Sequence, residues 1–225
     1  MYKDEVRALF SPAERAVLQK LINPKKVQDF LDSFPINFEV GGETIMSPKR
    51  VLRIKTMHCI EGALLAAASL AYHGREPLLL DLQTNQHDDD HVVALFSVEA
   101  GSASGGKEKR WGAISKTNHT TLKWRDPVYK TVRELAMSYF HEYFLEKGTK
   151  NLRAYSRPFN LKRYPAKKWI AGDDDLDWLA IDLDDSPHFP IAPYAALRAA
   201  RVASKIERES LDIVEWKYPR GYTGH

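Results

Sequence analysis

The sequence predicts an α+β domain in which one buried helix lies against a short antiparallel sheet, and three observations predict it. Residues 60–72 form a small-apolar run broken only by Glu61 and Ser69, the signature of a buried helix, which ends at His73-Gly74. Two shorter apolar segments, 77–82 and 91–96, are rich in Leu or Val and have the length of strands. Ahead of them, Ser-Pro and Asn-Pro pairs mark the starts of several helices.

Taken in order, Ser11-Pro12-Ala13-Glu14 is a capping box with proline at the first helical position, followed by Val17, Leu18, Leu21 and Ile22 on one face. Asn23-Pro24 starts a helix to about Ser33, and Ser47-Pro48 starts one that leads toward Cys59. Between them, residues 34–44 contain Pro35 and Gly41-Gly42 and read as an extended hairpin or loop. Residues 97–110 are glycine, serine and charge, a loop at a hairpin end. Trp111 then opens a strand to Ser115, with Trp111, Ala113 and Ser115 on one face by the period of two. Thr131-Val132-Arg133-Glu134 is another capping box, opening a helix to about Leu145.

The last third reads as an extended basic and aromatic stretch, a strand at 178–183 and a long amphipathic helix at 193–216. That helix carries Leu197, Ala200, Val202, Ala203, Ile206, Leu211 and Val214 and is expected to cover the domain and shape its cleft. A homodimer contact is its alternative use. The expected organisation is an N-terminal helical segment (1–46), a core (47–146) and a C-terminal extension (147–225), packed as one compact unit.

At 225 residues, 44% hydrophobic and 28% charged, the chain has the composition of a water-soluble globular protein with a full core. Its longest mostly apolar run, about fourteen residues from Cys59, falls short of the roughly 20 a membrane span needs. The first ten residues carry charges where a secretion signal has its apolar centre, so the expected location is cytoplasmic and no membrane is a partner. A single cysteine excludes an internal disulfide.

The net charge of +3 does not point to nucleic acid. Residues 147–168 do hold eight basic side chains, no acidic one, and Tyr155, Phe159 and Tyr164 between them. Seven aspartates follow at 173–185, and two such blocks can neutralise one another across a fold. An internal or merely solvated role is therefore expected for the basic stretch, with an acidic-ligand surface as the competing reading.

Cys59 stands at the start of the buried helix, where unpaired backbone N–H groups and the positive end of the helix dipole favour a thiolate. His91 begins the second apolar segment. A nucleophile on a helix start facing a histidine on an adjacent strand is the arrangement Cys-His acyl transfer requires. His58 is a poorer base, because neighbouring helical positions do not face each other, and it is assigned to the cleft wall. The competing reading of Cys59 is a buried packing thiol.

Cys59 leading a helix with Glu61 and an Ala-rich continuation, then Asp90-His91-Val92-Val93, then Trp111 opening a further strand, resembles the transglutaminase-like branch of the papain-like superfamily. The resemblance covers residues 25–143. It implies a papain-like core with Cys59 as nucleophile, His91 as base and an acidic or amide residue orienting His91. In such sequences the third residue lies a few positions after the tryptophan and is usually aspartate; the matching position here is Ser115. Asn118 ranks nearly level with it and is chemically the better partner, since asparagine serves this role in papain-like enzymes, and Asp126 comes third. A neutral Ser115 would orient the imidazole without stabilising its cation as a carboxylate does.

These roles imply an enzyme that attacks an amide or ester of a peptide, protein or small molecule through a thioester. Water would make it a protease or amidase, an amine an acyltransferase. No cofactor and no metal is expected. His87-Asp88-Asp89-Asp90-His91 is rich in ligand types, but adjacent strand residues point to opposite faces and cannot converge on one ion. Ser115 in place of the family's aspartate also supports a non-catalytic fold that binds a peptide or protein in the same cleft.

Overall fold

A computed structural model describes residues 1–86, 88–101 and 106–220. Among these the chain is mixed α/β, with ten α-helices and an open, antiparallel seven-stranded sheet. The first half contributes α1 (Tyr2–Ala8), α2 (Pro12–Leu18), α3 (Pro24–Asp32), α4 (Pro48–Ile54), α5 (Cys59–Tyr72), β1 (Leu78–Gln83), β2 (His91–Gly101), β3 (Lys107–Ile114), β4 (Arg125–Tyr129) and α6 (Val132–Tyr139). The remainder adds β5 (Ala154–Ser156), β6 (Phe159–Asn160), α7 (Ala166–Ile170), α8 (Asp177–Asp184), β7 (His188–Pro190), α9 (Tyr194–Arg198) and α10 (Lys205–Glu209).

The helix starts follow their local chemistry. Ser11 Oγ accepts the Glu14 N–H while Glu14 takes the Ser11 N–H, and Asn23 caps α3 through Lys26 N–H at 3.0 Å. Thr131 caps α6 in the same manner, although that helix stops at Tyr139, short of the expected Leu145.

The sheet runs β4-β3-β2-β1-β5-β7, and β6 pairs with the same edge of β1 as β5. Both faces are covered, which explains the unbroken apolar runs of β1 and β2. Leu79, Val92, Ala94, Phe96 and Ile114 face the cluster built by α5 and the N-terminal helices, whereas Leu80, Leu82, Val93, Leu95 and Ala113 face α6. The sheet is therefore larger than the short one expected. Strands β2 and β3 extend well into 97–110, of which 102–105 lie outside the described residues.

Two expectations for the last third are corrected. Residues 178–183 are helical, in α8, because Leu179 and Leu183 are spaced to share one buried helix face. The long helix at 193–216 does not form: its place is taken by α9, α10 and a short 3-10 turn, with none of their residues buried. The C-terminal third is also no mere cover, since β5, β6 and β7 belong to the sheet. No helix among the described residues is long and apolar enough to cross a membrane.

Candidate active site

Helix α5 starts at Cys59 because Glu61 organises the turn before it. The Glu61 carboxylate is fully buried and accepts from His58 N–H (3.0 Å), Met46 N–H (3.0 Å) and Thr44 Oγ1 (2.9 Å), with Asn37 Nδ2 at 3.3 Å. His58, extended at the N-cap, is thus locked in place and Cys59 becomes the first helical residue. The thiol is partly buried.

Two histidines serve the sulfur. His58 Nδ1 lies 4.0 Å from Cys59 Sγ, while its Nε2 lies 2.7 Å from the Thr44 carbonyl oxygen and 3.6 Å from both Glu39 and Glu61 carboxylates. Burial opposes ionisation of the thiol, but hydrogen bonds from His58 and His91 and the charges on both rings overcome it and bring Cys59 down to about 6. For His58 burial likewise opposes the charged ring, and the bond to Cys59 with the negative charges of Cys59, Glu61 and Glu39 raises it to about 10.

His91, the first residue of β2, is buried, and its Nε2 lies 2.8 Å from Ser115 Oγ. Counting protons fixes the roles. The Ser115 hydroxyl donates its one proton to the Leu122 carbonyl at 2.7 Å, so it can only accept from His91 Nε2–H. Nδ1 is then the nitrogen left for Cys59. Ser115 itself is held as if in a ladder: its N–H donates to Gln28 Oε1 at 3.0 Å and its carbonyl accepts from Gln28 Nε2 at 2.8 Å.

The other candidates lie elsewhere. Asn118 turns its amide to the C-terminal segment, donating from Nδ2 to the Trp216 carbonyl (3.0 Å) and accepting Trp216 N–H (2.8 Å). Asp126 is exposed on β4. Of the three residues weighed for orienting His91, Ser115 is the one that bonds to it. His58 does approach the sulfur: neighbouring helical positions diverge, but this N-cap residue has extended backbone, and its Nδ1 lies 4.0 Å from Cys59 Sγ.

Gln28, Glu61 and Lys116 are further supports. None of the three is expected from the sequence to support the site; an acidic residue three positions after His58 is the signal that could have found Glu61, whereas Gln28 gives none. Lys116 is buried, and its ammonium, pulled down to about 8 by burial, donates to the Leu31 carbonyl (2.9 Å) and to that of Phe34 at the end of α3. Its stem crosses α5 at Gly62, where a Cβ would stand 2.5 Å from Lys116 Cβ.

The basic stretch is largely tied into the fold. Lys162 pairs with Glu76, Lys168 Nζ lies 3.7 Å over the Trp178 ring and Arg163 5.0 Å over Phe159. The aspartate block pairs not with these but with α4, through Asp175 to Arg50 at 2.7 Å and Asp173 to Arg53 at 3.9 Å.

A cavity of about 910 Å³ opens between Tyr143, Leu122 and the segment around α10. Leu122, whose carbonyl holds Ser115, is in its wall, but Cys59, His58 and His91 are not. Compared with models of known protein families and with curated proteins, the chain has no match.

Proposed function

We propose that this protein is a cysteine-nucleophile enzyme acting on an amide or ester, with a core of the transglutaminase-like, papain-like kind. The observation that carries the reading is Cys59 on the first turn of α5, with His58 Nδ1 4.0 Å from its sulfur and a thiol brought down to about 6 by His58 and His91, the latter with its Nε2 fixed on Ser115. The thiolate attacks the carbonyl carbon, a C–S bond forms, and the oxyanion is held by backbone N–H groups of the α5 start, including that of Cys59. His91 Nδ1 takes the proton of the Cys59 thiol as the thiolate forms and passes it to the leaving amine or alcohol as the thioester forms. Water or an amine then gives up a proton to His91 and attacks the thioester, releasing acid or a new amide and restoring the thiol. His58 keeps a positive charge beside the sulfur while His91 moves protons.

A second reading, a peptide-binding fold without catalysis, is favoured by the neutral Ser115 and by a cavity of about 910 Å³ that is not lined by Cys59. Iodoacetamide alkylation of Cys59 across pH, in the native protein and in His91→Ala, separates the two, together with turnover of a panel of p-nitrophenyl esters and anilides by the native protein and Cys59→Ala. The enzyme reading expects fast alkylation well below the ordinary thiol range, slowed in His91→Ala, and turnover abolished in Cys59→Ala. A thiol that stays slow up to its ordinary range, with no turnover, sinks it.

A further inference from the structure

Three carboxylates from three separate stretches of chain converge, one of them that of Asp90, whose carbonyl oxygen lies 3.9 Å from Cys59 Sγ. Asp81 of β1, Asp90 before β2 and Asp184 at the end of α8 each bring an oxygen within 4.8 Å of the others. The cluster has a built interior. Asp81 is 1% exposed, on a strand whose N–H at that residue is taken by Ser156 Oγ at 2.9 Å, in the gap where β5 gives way to β6. Its Oδ2 is held by His188 Nε2 at 3.0 Å, and its Oδ1 is buried with no hydrogen-bond partner. A buried carboxylate oxygen left without a donor is costly, and it marks a missing positive group or donor.

Among the described residues, no lysine or arginine forms an ion pair with any of the three. His188 is the cation at hand: Nδ1 lies 2.7 Å from the Ser186 carbonyl, which only accepts, and Nε2 faces a carboxylate. Doubly donating, it offsets one of three negative charges and leaves two. Asp90 is already fixed, its Oδ1 accepting Thr84 N–H at 2.6 Å, while the Thr84 hydroxyl, 3.0 Å away, has the Asp88 carbonyl nearer at 2.7 Å. Asp184 is exposed and opens the cluster to solvent.

We propose that Asp81, Asp90 and Asp184 bind one hard divalent cation, with His188 orienting Asp81 from behind. All-carboxylate ligands select Ca²⁺, Mg²⁺ or Mn²⁺ over softer metals. Ca²⁺ takes oxygen ligands at about 2.3–2.6 Å in a flexible geometry, whereas Mg²⁺ demands a near-ideal octahedron at about 2.0–2.1 Å, so a site assembled from three separate stretches of chain suits Ca²⁺ better. No sequence motif announces such a site, because its ligands lie on β1, before β2 and on α8; no metal is expected from the His87–His91 run, of which His87 lies outside the described residues, and among described residues 88–91 Asp90 is the one in the cluster. The ion would clip the residue next to His91 to β1 and α8.

The test is calorimetric titration of the chelator-treated full chain with CaCl₂, MgCl₂ and MnCl₂, and thermal unfolding with and without each salt. Expected is one site, tightest for Ca²⁺, with Tm raised by about 5 °C or more at a hundredfold excess over Kd. Asp184→Asn, an exposed change that keeps the metal-free Tm, is expected to weaken binding at least tenfold, and Asp90→Asn to do the same. Absence of heat and of any Tm shift with all three salts at millimolar concentration overturns the site. So does affinity unchanged in both variants, which would mean general attraction to an acidic surface. Neither readout depends on catalysis.

Discussion

Ser115 stands where a carboxylate would stabilise an imidazolium, and it can do only half of that work: it accepts one bond from His91 Nε2–H and adds no charge. The charge beside the sulfur comes instead from His58, raised to about 10 by Cys59, Glu61 and Glu39 against its own burial. The two roles are separable. In His58→Ala the alkylation midpoint of Cys59 is expected to climb from about 6 toward the ordinary thiol range, because a lowered thiol pKa means thiolate is present above it and the loss of a cation raises it again. In Ser115→Ala the midpoint should move less, while the limiting rate of substrate turnover falls roughly five- to tenfold, since a neutral hydrogen bond is worth about 1 kcal/mol. Stopped-flow alkylation across pH and kcat for whichever ester the protein turns over measure both; equal shifts in the two variants would mean the histidines do not divide the work. The placement of Cys59 at a helix start and of His91 at a strand start was legible in the sequence because both are local signals. Choosing Ser115 over Asn118 was not, because Asn118 is occupied by Trp216, a contact 98 residues away.

At the scale of elements, the start of α5 depends on one buried carboxylate. Replacing Glu61 with Ala strips the acceptor from His58 N–H, Met46 N–H and Thr44 Oγ1 at once. With charged-acceptor bonds worth roughly 1.5–3 kcal/mol each and not fully additive, a loss of about 3–5 kcal/mol is expected, seen as a Tm lower by on the order of 10 °C. Glu61→Gln keeps an acceptor oxygen and should lose less; equal losses in both would mean packing, not hydrogen bonding, holds the turn. The capping and periodicity signals that placed α2, α3, α4 and α5 work because those helices bury a face or close with a cap. They failed at 178–183, where a short apolar run fits either strand or helix until Leu176, Leu179 and Leu183 are seen to share a buried side. They also failed at 193–216, although a signal was present: Ser204-Lys205-Ile206-Glu207 is a start motif in the middle of the supposed helix, and Glu207 Oε2 accepts Ser204 N–H at 2.6 Å. Strands β5, β6 and β7, at two or three residues each, are too short to carry a period.

At the scale of the whole molecule, the chain end is joined to the site through a segment that has no regular structure of its own. Residues 115–122 leave β3, hold Ser115 through the Leu122 carbonyl, and are themselves held by the C-terminal strip. Three backbone or side-chain bonds link Asn118 to Glu215 and Trp216, His119 bridges to Val214, and Lys123 Nζ pairs with Glu215 at 2.9 Å while approaching Asp32 on α3 at 3.7 Å. Residues 213–220 contribute nothing to either buried hydrophobic cluster, so removing the strip should cost little global stability. It should cost alignment, because a freed Leu122 carbonyl releases the Ser115 proton, and a Ser115 hydroxyl that rotates to donate toward His91 no longer selects the tautomer with Nδ1 facing the sulfur. Ending the chain after Asp212 is therefore expected to lower Tm by only a few degrees, to raise amide hydrogen exchange at 116–122, and to cut turnover by about the factor seen in Ser115→Ala. Combining the truncation with Ser115→Ala should then add little further loss, since both remove the same constraint. A truncated protein with full turnover, or a double variant whose losses multiply, would show that the C-terminal strip and the His91 support are independent, and that the strip serves the cavity by α10 instead.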